Sequence, residues 1–153
     1  MNNQMIENIK QIVQSAYEVV LNNREFEVHD KGKQDIVTDL DFAMERRIKD
    51  AIKSLFPEDR FIGEEENHET LGMERTWVCD PIDGTLNFTQ SIPYYGIQLA
   101  LLVEKEPVFS LIFLPQLKEM YHAIKGQGAF LEGNKLELDP VLPLSRSEER
   151  RVG

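Results

Sequence analysis

The sequence predicts an α+β fold in which two N-terminal helices pack on an antiparallel sheet. Apolar residues recur at helical spacing in residues 4–22 and again in residues 39–55. Residues 60–138 instead contain short apolar runs separated by turn residues, which is typical of an antiparallel meander. Helices followed by consecutive strands indicate that the two kinds of element form separate layers.

The first predicted helix, residues 4–22, is amphipathic. We expect its apolar face to contact the core or a second subunit; this face comprises Met5, Ile6, Ile9, Ile12, Val13, Ala16, Tyr17, Val20 and Leu21. Residues 24–34 are polar and contain the tripeptide Lys-Gly-Lys, which indicates an irregular turn after the helix.

The second predicted helix begins after Thr38 and runs to about Leu55. Thr38 and Asp41 have the spacing of a capping box, in which each side chain accepts a hydrogen bond from the other residue's main chain. Asp41 therefore has a structural interpretation, as a carboxylate that stabilises the start of a helix. Pro57 is expected to end the helix because proline cannot continue it.

Six short strands are predicted after the helices. Arg60–Gly63 leads into an acidic stretch, and residues 77–80 precede Pro81, which we expect to end the strand. The others are residues 95–103, 108–114, 119–124 and 129–131, with a further hairpin leading to residues 135–138. The Gly-Gln-Gly sequence at residues 126–128 has no helix after it and indicates a turn, not a dinucleotide site.

The composition excludes several classes of partner. A chain of 153 residues is long enough for one domain. Its net charge of −10 argues against nucleic acid and acidic membrane surfaces as partners, and no apolar run has the length of a membrane span. With one cysteine, Cys79, and no secretory signal, we expect a cytoplasmic protein without disulfides.

The residues around Pro81 are the strongest candidate site. Asp80 ends a buried strand and Asp83 follows three residues later, so one short turn can direct both carboxylates at a single point. Gly84 leaves room for a ligand at the backbone, and Thr85 places a hydroxyl beside the free N–H groups of a helix start, which suit phosphate. Two carboxylates beside an anion site require a cation. An Asp-Gly turn alone would indicate only a turn.

The sequence Asp-Pro-Ile-Asp-Gly-Thr at residues 80–85 resembles the signature of the inositol monophosphatase family of metal-dependent sugar-phosphate phosphatases. Two further family elements precede it in the family's order, namely Asp35–Thr38 with Asp41, and Gly-Glu-Glu at residues 63–65. The resemblance covers residues 1–138. It implies the first half of the family's layered αβαβα fold, with the second α/β half missing.

The resemblance also implies a site and a reaction. Glu64, Asp80, Asp83 and the carbonyl of Ile82 would bind Mg²⁺, which prefers hard oxygen ligands. Asp83, Gly84 and Thr85 would contact the substrate phosphate, and Glu64 with Thr85 and Asp41 would orient and activate the attacking water. Lys31 or Lys33 would lie near the metal site. The implied reaction is hydrolysis of a phosphate monoester, such as inositol monophosphate or a related sugar phosphate.

A second candidate function follows from the half that the chain lacks. In the family that half carries a Trp-Asp motif, whose aspartate completes the metal site, together with most contacts to the sugar. Residues 139–153 contain neither and are expected to form a disordered or aberrant tail. The alternative is a truncated, catalytically incomplete module that binds metal or dimerises. We expect a homodimer or aggregate with an exposed apolar set among Ile97, Leu99, Leu101, Phe109, Leu111 and Phe113.

Overall fold

A seven-stranded sheet with two helices on one face forms most of the described chain. The computed structural model describes residues 1–21, 28–32, 35–65 and 70–137, without the side chains of residues 28–32 and 35–37. Lys33 and residues 139–153 lie outside the described residues, as does the side chain of Lys31. The expectations for these lysines and for the tail therefore stay predictions.

The two long helices lie close to where the sequence predicts them. Helix α1 is Asn3–Leu21 and helix α2 is Asp39–Leu55. The capping box of α2 is confirmed, since the Leu40 N–H donates to Thr38 Oγ1 at 3.2 Å and the Thr38 N–H donates to Asp41 Oδ2 at 2.8 Å. Among the described helices, none combines the length and apolar character that crossing a membrane would need.

The strands and a short third helix complete the described elements. They are β1 (Val28–Gly32), β2 (Asp35–Thr38), β3 (Arg60–Gly63), β4 (Thr76–Asp83), α3 (Thr85–Thr89), β5 (Gly96–Val103), β6 (Glu106–Leu114), β7 (Glu119–Ile124), β8 (Gly128–Leu131) and β9 (Asn134–Lys135). Strands β1 and β2 form a separate antiparallel pair, so the prediction of an irregular turn over residues 24–34 was wrong for β1.

The large sheet has the strand order β3-β4-β5-β6-β7-β8-β9. All neighbours are antiparallel except β3 and β4, which are parallel, so the α+β fold class is confirmed with one parallel pair. The prediction that this strand ends at Asp80 was wrong, because β4 continues to Asp83. Its register with β5 shifts between Asp80 and Asp83, so Pro81 lies in an irregular stretch where a ladder donor is not required.

The hydrophobic core lies between α1, α2 and one face of the sheet. Ile9, Val13 and Ile48 of the helices are fully buried, as is Trp77 of β4. The six strand residues expected to include an exposed set are all buried, with exposed fractions of 9% or less: Ile97, Leu99, Leu101, Phe109, Leu111 and Phe113. That expectation was wrong because these residues share the face that the helices cover. The opposite face carries Ile112, which is 40% exposed.

Candidate active site

The parallel pairing of β3 and β4 brings the two acidic motifs together. Gly63 lies opposite Cys79 in the register, and the Glu64 N–H donates to the Cys79 carbonyl at 3.1 Å. Glu64 therefore follows β3 beside the point where Asp80 stands in β4. The carboxyl ends of parallel strands lie at one edge of a sheet, which explains how residues sixteen positions apart in the printed sequence become neighbours.

Asp80 lies at the centre of a group of carboxylates. The pKa of Asp80 is raised to about 8. Burial is the largest cause, followed by the negative charges of Glu64 and Asp83, the hydrogen bond with Glu64 and the charge of Asp41. An aspartate with three other carboxylates around it is unfavourable when all of them are ionised. A divalent cation among them would remove that repulsion. Of the predicted metal ligands, Glu64 is hydrogen-bonded to Asp80, and Asp83 is near enough for its charge to act on Asp80.

Asp41 connects the start of α2 with this group. Its side chain is 1% exposed and accepts hydrogen bonds from the Thr38 N–H at 2.8 Å and the Thr38 hydroxyl at 2.6 Å. Burial raises the pKa of Asp41, the Thr38 hydrogen bonds oppose that rise, and the charge of Glu65 adds to it. Asp41 is therefore both a helix cap and a member of the site.

The Thr85 hydroxyl lies between Asp41 and the backbone of β4. It is 2.9 Å from the carbonyl oxygen of Ile82 and 3.3 Å from Asp41 Oδ1, and both oxygens can accept its proton. The Ile82 carbonyl, predicted to be a metal ligand, therefore already accepts one hydrogen bond and has a second lone pair available. This contact places Thr85, Ile82 and Asp41 at one point of the site.

Gly84 permits the sharp turn between β4 and α3. Its φ of 88° lies in the left-handed region, where a side chain would be strained. A Cβ added there would also lie 3.2 Å from the Tyr94 carbonyl oxygen. The turn leaves the side chain of Asp83 exposed, and its carboxylate accepts a hydrogen bond from Gln98 Nε2.

The sequence analysis missed two residues of the site, Gln98 and Glu45. Gln98 pairs with Asp80 across β4 and β5. The sequence feature that could have identified it is a lone amide within an otherwise apolar strand. Glu45 is completely buried in α2, and its Oε2 accepts a hydrogen bond from the Glu65 N–H at 2.7 Å. The sequence feature that could have identified Glu45 is an acidic residue on the same buried helix face as Met44 and Ile48.

Comparison with known proteins places these residues in a family. The model of the inositol monophosphatase family matches residues 1–151. The chain belongs to the inositol monophosphatase family. An inositol monophosphatase of Dictyostelium discoideum is 38% identical over 152 residues, which cover 91% of this chain and 56% of that protein. A histidinol-phosphatase of Chlorobaculum parvum is 36% identical over 124 residues, covering 81% of this chain and 48% of that one.

Solved structures of the inositol monophosphatase family confirm the fold. An inositol monophosphatase of Thermotoga maritima has a TM-score of 0.79 and 30% identity, over 92% of this chain and 55% of that one. An inositol monophosphatase/NADP phosphatase complexed with Mg²⁺ and phosphate has a TM-score of 0.79 and 29% identity, covering 91% and 55%. The chain thus spans about half the length of the curated relatives and solved structures that it matches.

The acidic residues of this family member offer oxygen ligands of the kind that hard divalent cations prefer. Within the described ranges, no three or more aspartate, glutamate, histidine or cysteine side chains are already gathered as metal ligands. Burial is the largest cause of the raised Asp80 pKa, and Glu64 and Asp83 are nevertheless near enough for their charges to raise it further. Cys79 is buried, and burial with the nearby charges of Glu45, Asp80 and Glu64 raises its thiol pKa, which does not suit a nucleophile.

Proposed function

We propose that this chain belongs to a Mg²⁺-dependent phosphatase that hydrolyses a phosphate monoester of a polyol or related alcohol. The observation that supports the proposal most strongly is the parallel pairing of β3 and β4, which places Glu64 beside Asp80, with Asp83 and Asp41 near enough for their charges to act on Asp80. Carboxylates held close together repel one another unless a cation neutralises them. The family match and the shared Asp-Pro-Ile-Asp-Gly-Thr sequence add independent support.

Glu64, Asp80, Asp83 and the Ile82 carbonyl would hold the cation. All four groups offer hard oxygen ligands, which suit Mg²⁺. When bound, Mg²⁺ would lower the pKa of a water molecule and offset the negative charge of the phosphate. The protein's own part is to hold these oxygens at one edge of the sheet, where β3 and β4 end side by side.

Thr85 would orient the attacking water with Glu64. The Thr85 hydroxyl donates toward Ile82 O and Asp41 Oδ1, so its lone pairs remain available to accept a hydrogen bond from the attacking water. Glu64 is exposed and can take up a proton from that water as a general base. Asp41, held by Thr38, would keep the Thr85 hydroxyl in this orientation.

The substrate would lie against Asp83, Gly84 and Thr85, with its phosphate near the main-chain N–H groups of this turn. Relatives that the chain matches are called inositol monophosphatase, fructose-1,6-bisphosphatase/inositol-1-monophosphatase and histidinol-phosphatase. These names share a phosphate ester of an alcohol, and that shared chemistry defines the substrate class proposed for this chain. We also propose a cytoplasmic homodimer in which residues 1–138 form the phosphatase-like unit.

A catalytically incomplete metal-binding module is the second candidate. The observation that favours it is the length of the chain, which covers 56% of the Dictyostelium relative. Phosphate release from inositol monophosphate, measured with Mg²⁺ and with excess chelator, separates the two candidates. Mg²⁺-dependent turnover supports the phosphatase. Specific Mg²⁺ binding without turnover supports the incomplete module, and the absence of both would refute a metal site.

A further inference from the structure

Glu45 contacts the main chain on both sides of Glu64. Its Oε2 accepts the Glu65 N–H at 2.7 Å. On the other side, a Cβ added to Gly63 would lie only 2.0 Å from both Cδ and Oε1 of Glu45, so the carboxylate packs directly against the Gly63 α-carbon. Only glycine leaves room for this approach.

The main chain of Glu64 itself is held from a third direction. Its N–H donates to the Cys79 carbonyl at 3.1 Å, which extends the parallel pairing of β3 and β4 by one residue. Between that bond and the Glu45 carboxylate, the turn that carries Glu64 is fixed by both α2 and β4. The exposed Glu64 side chain therefore starts from a restrained Cα position beside Asp80.

Burying the Glu45 carboxylate in the core is unfavourable in free energy. Glu45 is completely buried on the helix face that also carries Met44, Ile48 and Ile52. Burying a carboxylate costs free energy unless hydrogen bonds compensate it, and an apolar side chain of similar size would fill the same space without that cost. An apolar side chain would, however, leave the Glu65 N–H without its acceptor.

We infer that Glu45 is a positioning residue: it holds the Gly63–Glu64–Glu65 turn so that the Glu64 carboxylate stays directed at the metal site. The inference rests on the proposed function, because it assigns Glu64 to that site. Glu45 acts through Glu64 and does not itself contact substrate. Groups that support metal ligands in this way typically change metal affinity by about 10- to 100-fold when they are removed.

Three variants test the inference through Mg²⁺ affinity, measured by titration calorimetry on the 153-residue chain. Glu45→Met removes the acceptor and keeps the size, and we expect Mg²⁺ to bind at least about 10-fold more weakly. Glu45→Gln keeps an acceptor oxygen for the Glu65 N–H and should retain most of the affinity. Asp59→Asn is the matched control, since Asp59 is another buried carboxylate, bonded to Arg75 and Trp77 outside the site.

Each outcome decides the question. Equal Mg²⁺ affinity in the wild-type protein and Glu45→Met would overturn the positioning role and leave the proposed metal site standing. Equal losses in Glu45→Gln and Glu45→Met would also overturn it, because the charge and not the hydrogen bond would then matter. If the wild-type chain binds no Mg²⁺, the proposed function fails and the inference fails with it. If Glu45→Met does not fold, the Mg²⁺ affinity of Glu45→Gln is compared with that of Gly63→Ala, in which the added methyl group displaces the Glu45 carboxylate. Weaker binding in Gly63→Ala than in Glu45→Gln supports the positioning role, and equal affinity overturns it.

Discussion

The Thr85 hydroxyl lies 3.3 Å from Asp41 Oδ1, which joins the first turn of α3 to the first turn of α2. The two residues are separated by β3, β4 and their connections in the chain. Asp41 is buried and held by Thr38, so it provides a fixed acceptor for a hydroxyl at the edge of the carboxylate group. Through this contact Asp41 of α2 would orient the Thr85 hydroxyl, which in turn would orient the proposed water.

Replacing Thr85 by valine should lower the rate of phosphate release about 100-fold or more, because the hydroxyl that orients water is lost while the side-chain shape is kept. Thr89→Val is a suitable control, since the Thr89 hydroxyl only donates within α3 to the Leu86 carbonyl at 2.9 Å. Turnover would be followed by phosphate release at saturating Mg²⁺. Equal turnover in both variants would show that the Thr85 hydroxyl takes no part in the reaction.

Asp80→Asn should raise the melting temperature of the metal-free protein and abolish its response to Mg²⁺. The carboxylate of Asp80 is repelled by Glu64 and Asp83, and the amide removes that repulsion. Wild-type protein should instead gain about 2.7 kcal/mol of stability at a Mg²⁺ concentration 100 times Kd. Thermal unfolding with and without Mg²⁺ measures both effects. A variant that is stabilised by Mg²⁺ as strongly as wild type would indicate general charge screening.

Asp59→Ala should destabilise the fold by about 2–3 kcal/mol, because it leaves the buried Trp77 Nε1–H without an acceptor. Asp59 Oδ2 accepts from Trp77 Nε1 at 2.9 Å, while Oδ1 pairs with Arg75 Nε at 2.9 Å. Urea unfolding measures the loss. Removing Glu74, whose exposed contact with Arg60 is 3.4 Å long, should cause no measurable change. A similar loss in both variants would contradict this assignment.

His122 should make stability depend on pH below neutrality. It is buried and stacked on Phe130, and its Nδ1 has no hydrogen-bond partner in the described part of the chain. Burial, and secondarily the charge of Lys10, lower the pKa of His122, although Glu7 opposes the shift. Folding thus favours the neutral imidazole, so its contribution to stability is present above the unfolded pKa of about 6.5 and is lost as pH falls toward the lowered folded pKa.

The matched variant for this pH effect is His122→Phe, which keeps an aromatic ring against Phe130 and removes the titration. Between pH 7 and pH 5 the melting temperature of the wild-type protein should fall more steeply than that of the variant. The carboxylates of the site titrate in both proteins, so the difference between the two curves isolates His122. Parallel curves would show that His122 has the same pKa in the folded and unfolded chain.

The chain should self-associate through the sheet face that carries Ile112. This residue is 40% exposed in the centre of β6, on the face opposite the helices. Exposed apolar strand faces favour association. Ile112→Lys should therefore shift the wild-type oligomer toward monomer in sedimentation or light scattering, while Leu117→Lys, at an exposed turn, should not. A wild-type monomer would contradict the prediction.

Local features were predictable from the sequence because their causes are local. The capping box at Thr38 and Asp41 and the strand Arg60–Gly63 depend on neighbouring residues and were predicted correctly. The sequence Asp-Pro-Ile-Asp-Gly-Thr around Asp80 and Asp83 likewise led, by its resemblance, to the correct family. The two structural features needed only side-chain chemistry at short separations along the chain, and the family needed only a short motif.

The tertiary structure alone decided which neighbours those residues have. Strands β5 and β6 are apolar on both faces, so alternation could not show that Leu99 and Leu111 would face the helices. The parallel register of β3 and β4, which places Glu64 beside Asp80, depends on strand pairing and not on composition. Glu45 is an acid on the core-facing side of an amphipathic helix, and its contact with the Glu65 N–H at 2.7 Å depends on how α2 packs beside β3.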